Sequence, residues 1–120
     1  VAVSREGNLE GVAIAPGILT SSNSLFRSAS ALPQVALSHP RVAIGKNTMD
    51  SMRSGIVFGF VGLVEGILTR MKNELGGQPH IIATGGLATL IAPETTMIET
   101  VEPNLALLGL KRMYDLAQVR

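Results

Sequence analysis

Three glycine-bearing segments are placed where a ligand could meet bare backbone. Gly11-Val12-Ala13-Ile14-Ala15-Pro16-Gly17 is an apolar run closed by a Pro-Gly turn. Gly17 carries no side chain to block a close approach, although an ordinary β-turn explains Pro16-Gly17 as well. Gly45-Lys46-Asn47-Thr48 has the tail of a phosphate loop, yet Pro40 stands where a Walker A motif has its first glycine. What remains is a helix start, whose free N–H groups and positive dipole end suit an anionic or polar ligand. Capping by Asn47 or Thr48 accounts for the same residues. Ile81-Ile82-Ala83-Thr84-Gly85-Gly86 is a strand emptying into a glycine turn, the place where ligands gather in open α/β sheets, or else a simple strand-to-helix turn.

The titratable residues offer less. His39 and His80 stand beside Pro40 and Pro79 with no partner at metal-ligand spacing, so they read as loop and strand-entry residues. Asp50 fits a first-turn partner of a helix dipole better than a general base. Glu65, inside an apolar stretch, reads as edge-exposed or paired. With no cysteine there is no disulfide, thiol nucleophile or cysteine metal site. From residue types and spacing, no catalytic residue and no metal ligand is assigned.

Composition narrows the classes further. Of 120 residues, 46% are hydrophobic and 16% charged, with a net charge of +1. That balance excludes intrinsic disorder and gives no electrostatic case for nucleic acid or an anionic membrane. The most apolar run, residues 56–68, is interrupted by Glu65 and three glycines and falls short of the ~20 residues a spanning helix needs. No basic stretch leads into an apolar signal core, so the reading is a soluble, intracellular protein.

The elements that must position these segments follow from turn and cap signals. Residues 1–4 and 9–15 predict a hairpin around Arg5-Glu6-Gly7-Asn8. A helix capped by Thr20 or Ser21 runs to about Ala31 and is stopped by Leu32-Pro33. At least one of the runs 35–37 and 42–44 should be extended. Asn47 or Thr48 caps a helix of roughly 40 Å that ends at Gly76-Gly77. A strand over 81–84, a short helix over 87–91, a strand over 97–101 and a helix over 104–118 with Pro103 in its first turn complete the chain. The order predicts one α/β domain spanning residues 1–120.

Gly55, Gly59, Gly62 and Gly66, at spacings of 4, 3 and 4, share one face of the long helix, extended by Ser51, Thr69 and Asn73. Each interior glycine costs about 1 kcal/mol relative to alanine, so close packing against another backbone must offset it. That backbone belongs either to the domain's own sheet or to a second subunit.

Taken in order, Gly11-Val12-Ala13-Ile14-Ala15-Pro16-Gly17, Ile44-Gly45-Lys46-Asn47-Thr48, the run Ser54-Gly55-Ile56 to Val64-Glu65-Gly66, and Ala83-Thr84-Gly85-Gly86 resemble the C-terminal half of type III pantothenate kinases. The resemblance covers nearly the whole chain. It implies a ribonuclease H-like, actin-like ATPase domain with a mixed sheet flanked by helices. It also implies ATP-dependent phosphorylation of pantothenate to 4'-phosphopantothenate, the first step of coenzyme A biosynthesis, by a cytoplasmic homodimer using ATP, Mg2+ and a monovalent cation (K+ or NH4+). Thr48 would contact pantothenate, Gly85 and Gly86 would border the adenosine end of the nucleotide, and Gly11, Pro16 and Gly17 would shape the site floor. Val12 departs from the family, which usually has a second glycine there. The family's Asp-x-Gly-Asn phosphate loop, its catalytic Asp and its Asp-x-Gly-Thr stretch have no counterpart in these residues. The expectation is therefore a C-terminal half that is inactive alone. A non-catalytic nucleotide-binding or dimerisation module of the same fold is the alternative.

Overall fold

A computed structural model describes residues 1–29 and 32–119. It forms two compact units, Val1–Pro79 and His80–Arg120. The α/β class is as expected, but the strands form two separate two-stranded ladders, one in each unit, rather than one mixed sheet.

In the first unit β1 (Ala2–Val3) pairs antiparallel with β2 (Leu9–Gly11). The turn between them is closed by Ser4 N–H to Asn8 O at 2.8 Å and Gly7 N–H to Ser4 O at 3.0 Å, with Gly7 at φ +88°. Only left-handed backbone closes this turn, which glycine adopts without a steric penalty. β2 is shorter than the predicted 9–15 because β1 offers so few residues to pair with. Val12 and Ile14 consequently stay exposed.

Helix α1 (Ile18–Ser28) starts earlier than predicted. Gly17 is its N-cap, without a side-chain bond, and accepts the Ser21 amide at 2.9 Å through its carbonyl. The extended backbone at Pro16-Gly17 lets the helix begin at once, so Thr20 and Ser21 lie inside its first turn rather than capping it. The helix ends at Ser28; its predicted end, Ala31, lies outside the described residues.

Neither 35–37 nor 42–44 forms a strand. Their carbonyls go to side chains of the next helix instead: Ser54 Oγ donates to Ala43 O at 2.6 Å, and Arg53 Nε to Ala36 O at 3.5 Å. Val35 is buried in the unit's small core with Ile18, Met52, Val57 and Val61.

Helix α2 (Thr48–Leu75) matches its predicted limits. Asn47 Oδ1 accepts the Asp50 amide at 2.9 Å, while Asn47 Nδ2 donates to Asp50 Oδ2 at 2.8 Å. The reciprocal pair holds an orphan amide and places a carboxylate at the positive end of the dipole. At the other end Gly76 takes φ +69° and its amide returns to Lys72 O at 3.0 Å. At 28 residues, with an 18-residue window of mean hydropathy 1.4, α2 is long and apolar enough to cross a membrane on length and composition. The helix extends past the shorter run 56–68 at both ends.

In the second unit β3 (Ile82–Ala83) pairs parallel with β4 (Thr100–Val101). A parallel pair needs a long crossover. Here it runs through Gly85 at φ +98°, helix α3 (Ala88–Ile91) and a 3-10 turn, Ala92–Glu94. Ala88 and Ile91 are buried. Helix α4 (Leu105–Gln118) follows Pro103, which precedes the helix instead of sitting in its first turn. The Asn104 amide donates to Glu102 Oε1 at 2.8 Å. No residue of α4 is buried, and Leu107, Leu110, Met113 and Tyr114 are each more than 60% exposed.

Candidate functional site

The larger of the cavities described here lies in the first unit, between α1 and the N-terminal half of α2, with a volume of about 850 Å³. One wall is polar and backbone-rich, made by Gly45, Lys46, Asn47, Thr48 and Ser51; the apolar side includes Leu25, Met52, Phe60 and Leu63. An aliphatic ligand with a polar end suits such a lining.

Gly45 holds this wall in place. A Cβ built on it would land on the backbone nitrogen and Cα of Ser51, so only glycine lets the 45–48 turn lie against the first turn of α2. The Ser54–Ala43 bond pins the same segment two residues upstream. Sequence reasoning missed both residues as positioning groups. Gly45 stands two residues before the Asn47 cap, which says nothing of its approach to Ser51, and Ser54 gave no signal.

Among the predicted site residues, Thr48 is in the groove, exposed at the first position of α2. Its hydroxyl has no hydrogen-bond partner among the described residues, because Asn47 does the capping. Lys46 likewise has no ion-pair or hydrogen-bond partner among them. Gly11, Pro16 and Gly17 belong to the same unit but do not line the groove. A Cβ on Gly11 or Gly17 would meet nothing within 4 Å, so no close contact in this chain requires either glycine. Gly85 and Gly86 lie in the second unit, where Gly85 takes the left-handed backbone of the turn after β3. Its carbonyl accepts the Ala88 amide at 3.1 Å, which starts α3.

The glycine stripe faces open space. A Cβ on Gly55, Gly59 or Gly62 would meet nothing within 4 Å, and on Gly66 only the Arg70 guanidinium at 3.5 Å. Geometrically the stripe lies on the opposite side of α2 from buried Val57 and Val61. Within the first unit no described strand fills it, and Gly55 and Gly59 form part of the groove wall.

Neither histidine joins a metal cluster: among the described residues no three His, Asp or Glu side chains converge. His80 stands at the entry to β3 as read, bonded to Glu99 and Thr100. Glu65 is half-buried.

Comparison with known proteins places this geometry in context. The family model for type III pantothenate kinase matches residues 1–70. The type III pantothenate kinase of Geotalea daltonii is 52% identical over 113 residues, covering 94% of this chain and 44% of the relative. Those of Syntrophus aciditrophicus and Moorella thermoacetica are each 50% identical, over 93% and 95% of this chain and 44% and 45% of their own lengths. The chain thus spans less than half the length of the relatives it matches. The family model's match, which takes in more than half of the 120 residues, makes the chain a member of the type III pantothenate kinase family.

Proposed function

We propose that this chain is the C-terminal, ribonuclease H-like domain of a pantothenate kinase and supplies the pantothenate side of its active site. The reaction is ATP-dependent phosphorylation of pantothenate to 4'-phosphopantothenate, opening coenzyme A biosynthesis in the cytoplasm. The observation that carries the reading is the groove: a half-polar, half-aliphatic cavity with the uncommitted Thr48 hydroxyl on its polar wall. Pantothenate has the matching character, with hydroxyls, an amide and a carboxylate around a branched aliphatic centre.

In this reading Thr48 hydrogen-bonds and orients pantothenate, and Gly45 fixes the turn that presents it. Gly85-Gly86 borders the adenosine end of ATP, where a turn without side chains leaves room for a base. Gly11, Pro16 and Gly17 shape the floor once the rest of the protein is present. Phosphoryl transfer relies on metal, phosphate contacts and an oriented hydroxyl. The described residues hold no converging carboxylates to fit a metal. In this reading Mg2+ is held with the nucleotide phosphates, and no residue is assigned to the monovalent cation. The open glycine face of α2 suits a homodimer, since a second backbone can lie against it.

The test is reconstitution. Co-produced with the N-terminal part of the Geotalea daltonii relative, the chain should support ATP-dependent phosphorylation of pantothenate, and Thr48→Ala should raise the pantothenate KM more than that of ATP. A well-folded complex that turns over neither substrate, or a variant that affects only ATP, would overturn the assignment.

A further inference from the structure

On the first unit a second cavity, of about 500 Å³, is walled by Ser38, His39, Pro40, Arg41, Val42, Asp50 and Arg53. The kinase reading assigns it no role. It shares no lining residue with the α1–α2 groove.

Its charge is unusual for a nearly neutral chain. Two guanidinium groups face one carboxylate, with a serine hydroxyl and an imidazole beside them. Arg53 is only loosely engaged: one contact of 3.3 Å to Asp50 Oδ1 and one of 3.5 Å to Ala36 O, with its side chain 24% exposed. Asp50 has another commitment, accepting Asn47 Nδ2 at 2.8 Å through Oδ2. Arg41 has no ion-pair or hydrogen-bond partner among the described residues. The pocket therefore presents one unspent guanidinium and a second held by a long, half-exposed pair that a competing anion can replace.

We propose that this pocket binds a phosphate monoester. Guanidinium forks match the tetrahedral oxyanion in a two-toothed fashion. A monoester carries close to two negative charges at neutral pH, against which Arg41 and Arg53 together are a counterpart. The volume exceeds what inorganic phosphate fills, and Pro40 and Val42 give the ester's organic part an apolar wall. Asp50 sets a limit on affinity, since its carboxylate faces the incoming anion.

The test titrates inorganic phosphate and phenyl phosphate into the intact protein at constant ionic strength. It follows the Arg41 and Arg53 side-chain resonances without pantothenate or ATP, so failure of the kinase reading leaves it unaffected. Both probes should saturate, phenyl phosphate at the lower concentration. Arg41→Gln should weaken phenyl phosphate binding about tenfold, the loss of one charge-assisted bond. Asp50→Asn should tighten it by removing the opposing charge while an amide oxygen still accepts from Asn47 Nδ2. Arg41 is exposed, so the fold of its variant should be unchanged by circular dichroism. A linear response shared with chloride, equal binding by the Arg41 variant, or inorganic phosphate binding as tightly as the ester would overturn the proposal.

Discussion

The carboxylate of Glu99 grips the entry of β3 from both sides: Oε2 lies 2.7 Å from His80 Nδ1, and Oε1 accepts the Ile81 amide at 3.1 Å. His80 Nε2 in turn lies 3.0 Å from Thr100 Oγ1, the first residue of β4. A two-residue parallel ladder has little pairing of its own, so this side-chain bracket sets where β3 meets β4. Glu99→Gln keeps an acceptor for the Ile81 amide and should leave its hydrogen exchange slow. Glu99→Ala should speed that exchange and destabilise the ladder by less than about 1 kcal/mol, as befits a half-exposed pair.

Asn47 and Thr48 divide two roles that adjacent residues often share. Asn47→Ala should lower thermal stability by about 1 kcal/mol through the lost cap. Thr48→Ala should leave the melting curve nearly unchanged while weakening pantothenate use. A Thr48 variant that melts as early as the Asn47 variant would show that its hydroxyl is structural.

Gly45 and Gly59 should respond oppositely to one added methyl. Gly45→Ala drives a Cβ into the Ser51 backbone and should cost about 1–3 kcal/mol, with loss of the groove wall. Gly59→Ala adds a Cβ that meets no described atom within 4 Å and should stabilise α2 by about 1 kcal/mol in a thermal melt. Gly59→Leu tests the proposed homodimer: circular dichroism should stay near native while sedimentation shows monomer.

The purified 120-residue chain alone should show no pantothenate-dependent ATP turnover above a heat-killed control. The phosphate loop and catalytic Asp that the family resemblance implies for the transfer have no counterpart in its sequence.

What was legible in the sequence is what local hydrogen bonds decide. The start of α2 is written in Asn47 and Asp50, three residues apart, and its end in Gly76, whose φ of +69° suits glycine. The segment 35–44, where at least one of the runs 35–37 and 42–44 is expected to be extended, joins no strand ladder for the opposite reason. Its carbonyls are taken by Arg53 and Ser54, residues 17 and 11 positions away, a competition no local pattern announces. Thr48, which the family resemblance predicts to contact pantothenate, lies in the groove. The contribution of Gly45 depends on where the Ser51 backbone comes to rest, which only tertiary structure fixes.

Helix α4 leaves Leu107, Leu110, Met113 and Tyr114 in water together. Chaperones and proteases recognise clustered apolar side chains of this kind in unfinished proteins. Another surface that covers this helix would hide it from both. A quality-control system would read α4 as a signal of incomplete assembly long before it sensed any loss of secondary structure.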